Sequence, residues 1–197
     1  MADSGTRDKI LHTMYTLVAE KGYDKTSIGQ IAEAIGIQKP SIYYYFKSKE
    51  DIFLQLVEEL YRDDYDRPSR LFEAASSAAD YCGALMTLGE HFIDSYFAHQ
   101  TLRRVYAEID LQTTRIPALK DFIDRSDKRF HAFLLDCMER GAALGAFPPD
   151  VDRTLNAQIL YTVLIGIDQA ILYDLPIEPK PVWQAVVSGL FQRQEQL

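Results

Sequence analysis

Between Ile28 and Lys47 the sequence IGQIAEAIGIQKPSIYYYFK carries two apolar patterns of helical period, each about eight residues long, that meet at Gly36. This is the layout of a helix-turn-helix. Ile31 and Ile35 repeat on one face of the first short helix. Ile37, Ile42 and Phe46 are spaced to pack back on them, and Ala32 keeps a close helix crossing sterically open. Gly36 suits a turn with positive φ, which a residue with a Cβ resists.

With those residues turned inward, the second helix must present Lys39, Pro40, Ser41, Tyr43 and Tyr44 outward, with Tyr45 at the edge. Lys39 and Ser41 stand near its N-terminus, where the first residues of a recognition helix reach base edges or phosphates. The tyrosine hydroxyls can donate to phosphate oxygens. Lys49 and the helix-capping Ser48 mark another helix N-terminus, a favourable place for phosphate. Taken singly, each residue also fits an ordinary helical hairpin with solvated lysines; together they point to double-stranded DNA.

Charge needs a distribution, not a total. The chain carries a net −8, which alone argues against nucleic acid because phosphate neutralisation supplies much of DNA affinity. Residues 1–50, however, hold seven Lys or Arg and six Asp or Glu, a net of +1, so the remainder carries −9; from Lys21 to Lys49 the net is +3. A locally basic end on an acidic body suits a DNA reader whose other domain does not touch DNA.

Helical periodicity continues along the chain, and no run alternates apolar and polar residues long enough for a sheet, so the expected fold class is all-α. The first helix is expected from Thr6 as N-cap to Gly22, with Ile10, Leu11, Met14, Leu17 and Val18 forming its stripe. Ser27 with Gln30, and Ser48 with Asp51, read as capping pairs opening the second and fourth helices, and Arg67-Pro68 reads as the end of the fourth. Further helices are expected over about 69–78, 80–98, 101–112, 117–143, 151–173 and 181–194, bounded by Pro117, Pro148-Pro149, Pro176, Pro179 and Pro181. The expected division is a helix-turn-helix domain over 1–50 and a larger helical regulatory domain over 51–197.

At this point a resemblance becomes specific. Residues 7–53, from RDKILHTMYTLVAEKGYDKTSIGQIAEAIGI through KPSIYYYFKSKEDIF, resemble the DNA-binding domain of the TetR family of bacterial regulators. The match includes the Thr-Ser opening of the second helix, Tyr43, Phe46 and the Lys-Ser-Lys-Glu start of the fourth. The resemblance implies phosphate contacts from Thr26, Ser27, Tyr43, Tyr45 and Lys49, and base-edge contacts from Gln38, Lys39, Pro40, Ser41 and Tyr44. Two positions depart from the family pattern: Gly29 offers only backbone where members often carry a longer side chain, and Tyr45 stands where His is frequent. The resemblance further implies a repressor that releases operator DNA when a small-molecule effector, here unidentified, binds the C-terminal domain.

Pattern alone supplies the rest. Leu155, Ile159, Thr162, Gly166 and Ala170 on one late helix, and Trp183, Val186, Val187, Leu190 and Phe191 on the other, could form half of a four-helix bundle about the two-fold axis of a homodimer. Met86, Phe92, Tyr96, Tyr106, Ile109, Phe122, Phe133, Cys137 and Tyr161 are apolar or soft residues on central helices and are candidates for an effector pocket, or plain core. Cys82 and Cys137, and the four histidines, match no metal-ligand spacing, so neither a metal nor a cofactor is expected. An enzyme built on His91 or His131 with Asp94 or Asp127 is the rival reading, but no nucleophile elbow, zinc-protease motif or phosphate-binding loop supports it, and no catalytic residue is assigned. The polar start MADSGTRDKI and the short apolar run Val163 to Ile167 lead to the expectation of a cytoplasmic protein with no membrane contact.

Overall fold

The computed structural model describes residues 4–62, 66–98 and 100–192, with side chains described except at 4, 66–69, 96–98 and 192. All regular structure among them is helical: α1 (Ser4–Lys21), α2 (Ile28–Ala34), α3 (Lys39–Ile42), α4 (Lys49–Leu60), α5 (Asp66–Ala74), α6 (Ala78–Ala98), α7 (Gln100–Thr113), α8 (Pro117–Ala143), α9 (Arg153–Leu172) and α10 (Pro179–Gln192).

Local chemistry sets the early boundaries. Ser27 Oγ accepts from the Gln30 amide at 3.3 Å while Gln30 Oε1 accepts from the Ser27 amide at 2.9 Å, closing the capping box of α2. Gly36 sits at φ +71°, and Gly22, which ends α1, at φ +84°. Ser48 Oγ caps α4 through the Asp51 amide at 3.0 Å. Three early boundaries differ from expectation: α1 begins before Thr6, α3 ends at Ile42 after four residues, and α4 stops at Leu60, where the Tyr61 amide closes on the Val57 carbonyl at 3.0 Å. Pro68 therefore lies in the first turn of α5, where its missing N–H costs nothing, instead of ending α4.

The chain forms two compact units, and they do not coincide with a break at residue 50. One unit comprises α1 to α4, α7 and α8 as far as Asp124; the other comprises α5, α6, α8 from Arg125 onward, α9 and α10. The reason lies in the first core. Ile10, Met14 and Val18 of α1, Ile31 of α2, Ile42 and Phe46, and Ile52, Phe53 and Val57 of α4 are buried together with Val105 and Ile109 of α7 and Leu119 of α8. Helix α7 thus completes the small N-terminal core, although it stands some forty residues later in the chain.

The second unit has its own core, built from Tyr81, Leu85 and Leu88 of α6, Leu134 and Met138 of α8, Leu160, Leu164 and Ile167 of α9, and Trp183 and Val187 of α10. Gly89 makes the α6–α10 crossing possible: a Cβ there would stand 2.1 Å from the Trp183 indole. The indole Nε1 donates to the Met86 carbonyl at 3.1 Å, satisfying the polar end of a fully buried ring. Helix α9 is long and apolar enough to span a bilayer by length and composition, beyond the short apolar run Val163 to Ile167 within it. It carries the buried Asn156 and turns Ala157, Leu160, Leu164, Ile167 and Ile171 into the core, the pattern of a core helix.

Candidate nucleic-acid interface

Helix α3 is four residues long, opens with Pro40 in its first turn, and is extended by hydrogen bonds from the Tyr45 and Phe46 amides to the Ile42 carbonyl at 2.9 and 3.0 Å. Ile42 and Phe46 are buried, which fixes the rotation of this segment. Lys39, Pro40 and Ser41 consequently lie exposed, Tyr43 is 51% exposed and Tyr44 75% exposed. Tyr45 is half-buried at the edge and meets Tyr44 edge-to-face, with centroids 5.2 Å apart. Gln38, the N-cap of α3, is exposed and makes no side-chain capping bond. Two large exposed aromatic rings beside a lysine, a serine and an uncommitted amide form a surface able to donate to phosphates and base edges.

The other residues expected at this surface are engaged differently. Thr26 is 2% exposed and its hydroxyl donates to the Gly22 carbonyl at 2.9 Å, so it fastens the α1–α2 turn. Ser27 is exposed, with its hydroxyl committed to the capping box. Lys49 is half-buried: Nζ donates to the Tyr23 carbonyl at 3.0 Å and stands 3.9 Å from the centroid of the Tyr23 ring. Burial lowers the Lys49 pKa, with Asp24 and Glu108 pulling the other way. Burial, then Glu50 and Asp24, push the Tyr23 phenol up to about 12. Glu50 and Asp51 occupy the first turn of α4, and Asp51 Oδ2 accepts from the Lys47 amide at 2.7 Å. The electrostatic demand of that helix start is met from within the chain. Tyr23 was missed by sequence reading; its only signal is its place directly after the helix-ending Gly22.

Eight of the nine candidates for an effector pocket divide between the two cores. Tyr106, Ile109 and Phe122 belong with the N-terminal core, whereas Met86, Phe92, Phe133, Cys137 and Tyr161 belong with the second. The first three pack in the N-terminal unit, where α7 and the start of α8 lie. The Tyr96 side chain lies outside the described residues. In the second unit Phe92, Phe130 and Tyr161 follow one another at centroid distances of 5.5 and 6.0 Å. Burial of the Cys137 thiol raises its pKa to well above the usual thiol range.

The dimer candidates divide as well. Trp183 is 0% exposed; Val187, Leu190 and Ala170 are also buried, and Phe191 stacks on Phe147 at 5.2 Å. Trp183, Val187 and Leu190 of α10 belong to the core of the second unit and Phe191 packs against it, while Ala170 is buried on α9. Leu155 is 51% exposed, Thr162 and Gly166 are exposed, and Ile159 and Val186 are half-buried. Ile165 and Val182, which sequence reading did not select, are exposed on the same two helices.

The rival catalytic pairs are committed elsewhere. Lys180 Nζ meets Asp94 Oδ1 at 2.7 Å, and the Tyr161 hydroxyl donates to Asp127. Among the described residues no group of three or more His, Cys, Asp or Glu could hold a metal ion.

Comparison with known proteins agrees with the geometry. Residues 10–56 match the model for the bacterial regulatory proteins of the tetR family. The HTH-type transcriptional repressor KstR2 of Mycolicibacterium smegmatis is 29% identical over 153 residues, covering 76% of this chain and 71% of that protein. The Staphylococcus aureus regulator IcaR, a negative transcriptional regulator of the biofilm operon icaADBC, is 46% identical over 52 residues, covering 26% of this chain and 28% of its own length. Among solved structures, FadR of Bacillus subtilis in complex with stearoyl-CoA superposes with a TM-score of 0.75 at 20% identity, over 94% of this chain and 97% of that one.

Proposed function

The chain belongs to the TetR family of bacterial regulatory proteins, and from that premise we propose that it is a cytoplasmic, homodimeric transcriptional repressor whose hold on operator DNA is released by a small molecule. The observation that carries the DNA-reading part is the division of labour along α3. Ile42 and Phe46 are buried, and that burial turns Lys39, Ser41, Tyr43 and Tyr44 to solvent on one side. In a dimer, two such segments enter successive major grooves about 34 to 36 Å apart. Lys39, Ser41, Gln38 and Tyr44 read base edges, while Tyr43 and Tyr45 position the segment on phosphates.

The dimer forms through the outward faces of α9 and α10. Leu155, Ile159, Thr162 and Gly166 recur at helical spacing on the first, alongside Ile165; Val182, Ala185, Val186 and Gly189 do so on the second. Paired about a two-fold axis they make a four-helix bundle, and the open space over Gly166 and Gly189 admits a close partner backbone.

The effector is received in the second unit, where Met86, Phe92, Phe133 and Tyr161 border the core. The stearoyl-CoA bound to the structural neighbour supports a small-molecule role for this architecture. Binding of the effector changes the spacing of the two recognition segments and so releases DNA.

Binding of the full-length protein to its own promoter region as salt is raised tests the reading. A sequence-specific complex whose affinity falls steeply with salt supports it; no specific complex at any salt concentration overturns it and favours a scaffold that binds protein only.

A further inference from the structure

A continuous polar chain runs along the N-terminal unit through residues that the resemblance does not assign. Arg7, near the start of α1, donates from Nη1 to Glu59 Oε1 at 2.7 Å and from Nη2 to Gln55 Oε1 at 2.8 Å. Gln55 Nε2 donates to Asp51 Oδ1 at 2.9 Å, and Asp51 Oδ2 accepts from the Lys47 backbone amide at 2.7 Å. Asp51, Gln55 and Glu59 stand at successive i,i+4 positions, so one face of α4 presents them in line. The Arg7 guanidinium also lies 5.7 Å from the centroid of the Phe46 ring, the buried residue that anchors the end of the recognition segment.

The two termini of this chain give it a direction. At one end it grips α4 by Glu59; at the other Asp51 holds the Lys47 amide, the residue through which the chain leaves the recognition segment after Phe46. Arg7 bonds to Glu59 and Gln55 directly, lies over the Phe46 ring, and reaches the Lys47 amide through Gln55 and Asp51. We propose that Arg7 is a positioning residue for DNA reading: through Gln55 and Asp51 it fixes the exit of the recognition segment to α4 and thereby sets the angle at which Lys39, Ser41 and Tyr44 are presented. This rests on the DNA-reading assignment above.

Charge-assisted bonds in such a series polarise one another, so the members should act as one unit. A surface phosphate contact behaves otherwise, because it changes the salt dependence of binding and is indifferent to Gln55.

The test uses the full-length protein and the duplex that it enriches from a random-sequence pool. Arg7→Met keeps an apolar stem against Phe46 and removes the fork; Gln55→Met removes the middle of the series. Each variant is expected to lose about tenfold in affinity for the enriched duplex, and the double variant to lose no more than either single one. The salt slope and the affinity for unrelated duplexes are expected to stay as in the wild type. The Lys47 amide proton resonance is expected to shift upfield in both single variants. Should Arg7→Met not fold, Gln55→Met carries the same expectations alone.

Multiplicative losses in the double variant overturn the proposal, as does a salt slope reduced by about one phosphate in Arg7→Met or a Lys47 resonance that does not move. Unchanged affinity in variants beside a wild type that binds overturns the proposal alone. A wild type that enriches no sequence overturns the DNA-reading assignment and the proposal with it.

Discussion

Lys49 Nζ stands 3.9 Å from the centroid of the Tyr23 ring and donates to the Tyr23 carbonyl at 3.0 Å, tying the first residue of α4 to the turn after α1. A lysine held in this way contributes to the fold in the absence of DNA. Lys49→Met is expected to lower the stability of the protein by about 1 kcal/mol, the order of one cation–π contact and one charged hydrogen bond at a half-exposed site. The salt slope of DNA binding is expected to remain unchanged. Denaturant unfolding and binding titrations at several salt concentrations check both; a slope lowered by about one phosphate would return Lys49 to the DNA surface.

Burial of the Tyr23 phenol, with Glu50 and Asp24 nearby, makes alkaline stability depend on Tyr23. Its phenol titrates at about 12 in the folded protein against an ordinary 10.0. Below 10.0 both states hold the proton; above it the unfolded chain releases the proton first, so stability falls as pH rises from 10.0 to about 12. Tyr23→Phe keeps the ring under Lys49 and the carbonyl, and removes only the titrating hydroxyl. The unfolding free energy from denaturant titrations across this window should fall less in the variant than in the wild type. Parallel losses in the two proteins would contradict the assignment.

Two turn glycines separate strain from crowding. Gly36 has φ +71° with nothing within 4 Å of a built Cβ, so Gly36→Ala is expected to cost only the left-handed backbone penalty, about 1 kcal/mol. Gly22 has φ +84° and Glu108 Oε2 3.1 Å from such a Cβ. Gly22→Ala should therefore cost more, about 2 kcal/mol, and Glu108→Ala should recover the difference. Thermal unfolding of the three variants and the double variant decides it, and equal costs at the two glycines would refute the crowding argument.

These elements also show what a sequence can and cannot display. The Ser27–Gln30 capping box, the Ser48 cap, the Gly36 turn and the Pro117 start of α8 were legible because each is decided by chemistry within four residues. The outward face of α3 was legible because Ile42 and Phe46 fix its rotation. Whether an apolar helix face joins one core or another is a tertiary fact. Tyr106 and Phe122 carry the same kind of signal as Phe92 and Phe133, yet belong to the other unit. Trp183 looked like an interface residue for the same reason: nothing in its own helix reveals that Gly89, far away in the chain, leaves room for its indole. Lys49 has a local pattern that reads as a phosphate ligand, and only the fold brings the Tyr23 carbonyl to it.

Gly89 and Leu155 distinguish the core from the proposed interface in the second unit. Gly89→Ala drives a methyl to 2.1 Å from the Trp183 indole and is expected to destabilise the protein by about 3 kcal/mol. Leu155→Glu places a charge on a residue that is 51% exposed, so it is expected to leave the fold intact and weaken the proposed dimer. Sedimentation velocity with circular dichroism checks both. A Leu155→Glu protein that remains a dimer at low micromolar concentration would move the interface away from this face of α9.

The central claim, that the outward face of α3 reads DNA, is tested most directly by in vitro selection of duplexes from a random pool with the full-length wild type and with Lys39→Ala, Ser41→Ala, Tyr44→Ala and Tyr43→Ala. The account predicts that the wild type enriches a two-fold symmetric site with half-sites about 34 to 36 Å apart. It also predicts that the first three variants enrich altered half-site sequences, and that Tyr43→Ala enriches the wild-type sequence with uniformly weaker affinity. Enrichment of one unchanged site, at unchanged affinity, by all five proteins would contradict it.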